Sequence, residues 1–72
     1  MPAGRPAHSL TPRERQVLVL IAKGKSSKEI AEELHIAFKT VTCHRYRVME
    51  KLDARNSVEL ALYAIREGLI KP

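Results

Sequence analysis

Neither glycine nor proline occurs between Lys25 and Glu67, and that gap removes most folds from consideration. Strand-to-strand turns draw on Gly for positive φ and on Pro for a preset φ, so a β-rich chain carries these residues at short intervals. Here the breakers lie outside the gap, with prolines at 2, 6, 12 and 72 and glycines at 4, 24 and 68. No segment alternates apolar and polar residues with the period of a strand, and no internal repeat is present. The expectation is an all-α chain whose helices are separated by caps rather than by breakers.

Those caps are legible. Thr11 to Glu14 spells T-x-x-E with Pro12 at the first helical position, which supplies an N-cap oxygen, a returning carboxylate and a φ already set for helix. A first helix is predicted from Pro12 to about Lys23, with Val17, Leu18, Ile21 and Ala22 at helical spacing and Gly24 as a left-handed cap. Ser26 to Glu29 is a second box of the same kind, opening a short helix from about Ser27 to Leu34 with Ile30, Ala31 and Leu34 on one face. His35, Ile36 and Ala37 form a connection in which Ile36 is an apolar plug, and a third helix is predicted from about Phe38 to Leu52. Asn56 followed by Glu59 opens a fourth through about Glu67, closed by Gly68, with Leu69 and Ile70 folding back. Residues 1–9 read as a flexible linker or expression-derived tail, and 10–72 as one domain.

A chain of 72 residues buries only roughly 60% of its unfolded surface, which argues against a cleft enzyme. It also contains no phosphate loop, no paired catalytic carboxylates and no nucleophile with its base. Cys43 has no partner for an internal disulfide, and His8, His35 and His44 lack zinc-ligand spacing, so no metal or cofactor is expected and a reducing cytoplasm is the expected setting. The longest apolar run, Val17 to Ala22, is far short of the roughly 20 residues that span a bilayer, and the N-terminus lacks a signal peptide's apolar core, so no membrane is expected as a partner. Thirteen Lys and Arg against 8 Asp and Glu leave a net charge of +5, which favours an anionic partner.

The third helix shows where that partner would sit. At roughly 100° per residue, Val41, His44, Val48 and Leu52 gather on one side and Lys39, Thr42, Cys43, Tyr46, Arg47 and Glu50 on the other. A face needing only solvation is usually filled with Glu and Lys, whereas this one offers cations, hydroxyls and a thiol. A short helix, a three-residue connection and a longer helix with a basic outer face make a helix-turn-helix. Taken alone, the face also fits a merely solvated surface.

The unit as a whole resembles the LuxR/NarL/FixJ/GerE type of bacterial DNA-binding domain. The resemblance runs from Leu10 to Ile70 through Leu10, Thr11, Pro12, Arg13, Glu14 and Arg15, then Gly24, Lys28 to Ala31 (Lys-Glu-Ile-Ala), Thr40 and Val41, His44, Lys51 and Leu52, Asn56, and Gly68 to Ile70 (Gly-Leu-Ile). It implies a compact four-helix domain in which helices 2 and 3 read DNA and helix 4 is a dimerisation surface. Four departures stand out. Ala37 replaces a usual Ser or Thr cap, Thr42 a frequent Lys, Asp53 a frequent glycine and Ser57 a common Arg.

With helix 3 in a major groove, Lys39, Thr42, Cys43 and Tyr46 meet its floor, and matching family positions touch bases. Lys39 would donate to guanine, Thr42 would hydrogen bond or set its methyl on thymine, and Tyr46 would reach a base edge or a phosphate. Cys43 is a small filler facing a base. Lys28, Thr40, Arg47 and Lys51 flank that stripe as phosphate contacts, the alternative being solvated cations. His44, beside Val41 and Val48, reads as a packed residue.

In helix 4, Ala61 and Ala64 with Leu60 cover the domain's own core, while Val58, Leu62 and Ile65 form a second stripe suited to a partner helix or to wider burial in the monomer. The leading expectation is sequence-specific binding of double-stranded DNA by a bacterial transcription regulator acting as a homodimer, weak when free. The alternative is a protein-interaction module of the same fold that contacts a regulator or RNA polymerase.

Overall fold

The computed structural model describes residues 9–71, and the expected tail therefore lies outside the described residues except for Ser9. Within them the chain forms four helices and no strand: α1 Pro12–Ala22, α2 Ser27–Leu34, α3 Phe38–Leu52 and α4 Ser57–Arg66. The predicted helices 2 and 3 match at both ends. Helices 1 and 4 stop one residue earlier than expected, because Lys23 and Glu67 serve as C-caps.

Local chemistry sets these ends. Thr11 Oγ1 accepts from the Glu14 amide at 3.1 Å while Glu14 Oε1 accepts from the Thr11 amide at 3.0 Å. Ser26 and Glu29 repeat the exchange at 3.1 and 2.8 Å. Asn56 Oδ1 accepts from the Glu59 amide at 2.9 Å, and the Glu59 carboxylate accepts from the Arg55 amide at 2.7 Å. Each box satisfies donors that a bare helix start leaves open. Ala37 has no such oxygen, and α3 starts without a side-chain cap.

The C-terminal ends share one device. The amides of Lys25, Ile36, Ala54 and Leu69 reach back to the carbonyls of Leu20, Ala31, Met49 and Ala64 at 2.8 to 3.1 Å. The residue reversing the chain is left-handed in every case: Gly24, His35, Asp53 and Gly68. Asp53 thus takes the conformation for which a glycine is preferred, at φ 54°. Ile36, Ala54 and Leu69 then pack against the core, as does Ile70.

The core is organised around α1, which packs against α3 and α4, while α2 packs mainly on α3. Leu18, Ile30, Leu60, Val17, Val41 and Val48 are fully enclosed, each burial stabilising the fold by about 1.5 to 3 kcal/mol before conformational entropy is counted. Leu10 is also buried, so the packed core takes in the residue at which the family resemblance starts. In α4 the core residues are Leu60, Tyr63 and Ala64. Ala61, expected in the core, is only half-buried, and the larger Tyr63 is buried instead, with the Arg66 guanidinium 5.3 Å from its ring.

Candidate nucleic-acid interface

The site is the outer face of α3, and its stiffness comes from its inner face. Val41, Val48 and Leu52 are buried at helical spacing, which fixes the rotation of α3 about its own axis. Lys39, Cys43, Tyr46 and Glu50 are therefore aimed away from the core and exposed, with Thr40 and Arg47 exposed on one flank. His44 is half-buried beside the valines. Tyr46 is 65% exposed, a large solvent-facing aromatic in the middle of the face. Glu50 closes the stripe with a negative charge, so an anionic ligand is best accommodated over the first three turns.

Thr42 is partly exposed, and its hydroxyl donates to the Lys39 carbonyl at 2.8 Å. Phe38, at the first helical position, is 56% exposed. Phe38 lies one turn before Val41, so the helical period alone would place it toward the core; its exposure at the start of α3 is set by the packing and carried no signal in the sequence.

Each flank of α3 also carries a side chain tied to a neighbouring helix. Arg45 donates from its guanidinium to the Ser57 hydroxyl at the start of α4. On the side facing α1, the Lys51 ammonium lies 2.7 Å from Glu14 Oε1, with side-chain exposures of 26% and 4%. Burial pushes the Glu14 carboxyl up, but the hydrogen bond and charge of Lys51, together with hydrogen bonding to Thr11, outweigh it and leave the group below its ordinary value of 4.5. Lys51, expected as a phosphate contact, is thus paired with Glu14 within the domain. Lys28, Thr40 and Arg47 stay exposed, Lys28 in the first turn of α2.

On α4, Val58 is 67% and Leu62 59% exposed. Ile65 is half-buried, so the expected apolar stripe is present on the surface mainly through its first two members. Among the described residues, no three His, Cys, Asp or Glu side chains are placed to hold a metal ion. No helix among them is long and apolar enough to cross a membrane.

Comparison with known proteins places this geometry in context. The family model described as bacterial regulatory proteins, luxR family, matches residues 8–64. The chain is 48% identical over 65 residues to the transcriptional regulatory protein LiaR of Bacillus subtilis, covering 90% of this chain and 31% of the relative. It is 43% identical over 65 residues to the oxygen regulatory protein NreC of Staphylococcus carnosus, with 90% and 30% covered. To the response regulator UvrY of Escherichia coli it is 45% identical over 64 residues, with 89% and 29% covered. The chain thus spans less than a third of the length of these three relatives.

Proposed function

The chain belongs to the luxR family of bacterial regulatory proteins, and on that premise we propose that it binds double-stranded DNA sequence-specifically, as a transcription regulator, with α3 in the major groove. The observation that carries this reading is the outer face of α3, where Lys39, Cys43 and Tyr46 are exposed on a helix whose rotation three buried residues hold. A helix so fixed brings side chains to base edges without further ordering.

In this reading Lys39, Thr42, Cys43 and Tyr46 face bases, while Lys28, Thr40 and Arg47 hold phosphates. Lys51 braces α3 against α1 instead of joining them. Val58 and Leu62, with Ile65 beside them, pair α4 across a twofold axis. Two exposed aliphatics per protomer bury far less than a standard interface, so the free domain is monomeric or weakly paired and dimerises on two half-sites, where the duplex supplies the effective concentration. The domain comprises residues 10–72, catalyses no reaction, needs no cofactor and works in the cytoplasm. RNA polymerase is a further partner for surfaces that the duplex leaves uncovered.

Selection of bound duplexes from a random pool, followed by titration across salt concentrations, tests the proposal. An enriched inverted repeat is expected. Affinity should fall with salt, each cation on a phosphate adding about 0.9 to the log-log slope. A flat salt dependence with no enriched sequence would overturn it in favour of a protein-interaction module.

A further inference from the structure

We infer that Thr42 reads an A·T pair through the thymine methyl group, and that it does not act as a hydrogen-bond donor to guanine. This rests on the DNA-binding reading above and goes beyond it by assigning a base preference to one side chain. A threonine hydroxyl has one hydrogen to donate and lone pairs that accept. In Thr42 the hydrogen is engaged within the helix, donating to the Lys39 carbonyl at 2.8 Å. What the side chain has left for a neighbouring base is its γ-methyl group and an oxygen able only to accept.

The major-groove edges sort sharply against that pair of functions. Guanine presents two acceptors, N7 and O6, which an acceptor oxygen cannot satisfy. An A·T pair presents the thymine C5-methyl together with the adenine N6 donor, so it matches both the apolar and the accepting part of Thr42. A cytosine offers a donor but lacks the methyl. The adjacent residues sharpen the contrast. Lys39, one turn back, is exposed and carries only donors, and so suits guanine. Lys39 and Thr42 therefore divide the labour along the stripe, the cation taking a guanine and the methyl taking a thymine.

The experiment uses the full chain and the duplex that it selects, with each thymine of the half-site replaced in turn by deoxyuridine, which removes only the methyl. At one position the unaltered protein should bind about fourfold more weakly, the worth of one buried methyl group. Thr42→Val keeps the γ-methyl without the hydroxyl and should retain that loss. Thr42→Ser keeps the hydroxyl without the methyl and should erase it. The inference is overturned if no thymine methyl matters, or if Thr42→Val abolishes the preference while Thr42→Ser keeps it, since the hydroxyl would then be reading the base. Failure of the unaltered protein to select any duplex is a separate result that removes the DNA-binding reading itself. A flat deoxyuridine scan with unaltered protein overturns the inference without recourse to any variant, and the assignment of a methyl effect to Thr42 is read from Thr42→Val and Thr42→Ser proteins whose helical content by circular dichroism matches the unaltered chain.

Discussion

Replacing Lys51 by methionine separates a structural lysine from a phosphate contact. The substitution keeps the stem and removes the charge, leaving Glu14 with its side chain 4% exposed and no cation beside it. Breaking a fully buried ion pair typically costs about 3 to 5 kcal/mol. Two features lower that figure here: Glu14 Oε1 keeps the Thr11 amide at 3.0 Å, and the 26% exposure of Lys51 shows that water reaches the pair. A loss of about 2 to 3 kcal/mol follows, against roughly 4 to 10 kcal/mol for a whole domain of this size. Thermal unfolding followed by circular dichroism should register it as a fall in Tm of roughly 10 to 20 °C. The loss should also depend on pH. Glu14 has its pKa lowered in the folded protein, so its contribution is present above the ordinary value of 4.5 and is lost as pH falls through the lower folded value. In Lys51→Met burial acts on the carboxyl without the lysine to oppose it, so the difference between the two proteins should shrink below pH 4.5. Salt titration of DNA binding provides the opposing readout. If Lys51 held a phosphate, the variant would keep its Tm and lose about 0.9 from the log-log slope. That combination would refute the bracing role.

Ala37→Ser restores a capping oxygen to α3, the one helix here that starts without a side-chain cap, and should stabilise the domain by about 1 kcal/mol, or roughly 4 to 8 °C in Tm. Asp53→Gly relaxes a left-handed residue at φ 54° and should add up to about 1 kcal/mol, measured by urea denaturation; a loss would mean that the aspartate side chain supports the turn. Leu62→Glu, at a position 59% exposed, should change stability by less than about 0.5 kcal/mol. The same variant should abolish cooperative binding to paired half-sites in gel shifts, since like charges would meet at the axis; unchanged cooperativity would remove α4 as the pairing surface.

Much of the fold was readable along the chain because its signals are local. A helix start depends on an oxygen three residues from an amide, and a helix end on one residue that reverses the chain. Thr11, Ser26, Asn56, Gly24 and Gly68 therefore marked boundaries that the structure reproduces to within a residue. The inner and outer faces of α3 followed from the helical period alone, and Val41, Val48 and Leu52 are buried as that period requires. The same local rules identified the candidate reading stripe, since exposure on a helix is fixed once the apolar side is known. Long-range partners had no such signal. Glu14 and Lys51 are 37 positions apart; in sequence one is a capping carboxylate and the other a cation at the end of a basic face. Only the packing of α1 on α3 decides that they meet. Arg45 reaches Ser57, and Tyr63 rather than Ala61 fills the space against the core, for the same reason. Helix formation is settled within a few residues of the chain, whereas which side chains share a volume depends on how whole helices cross.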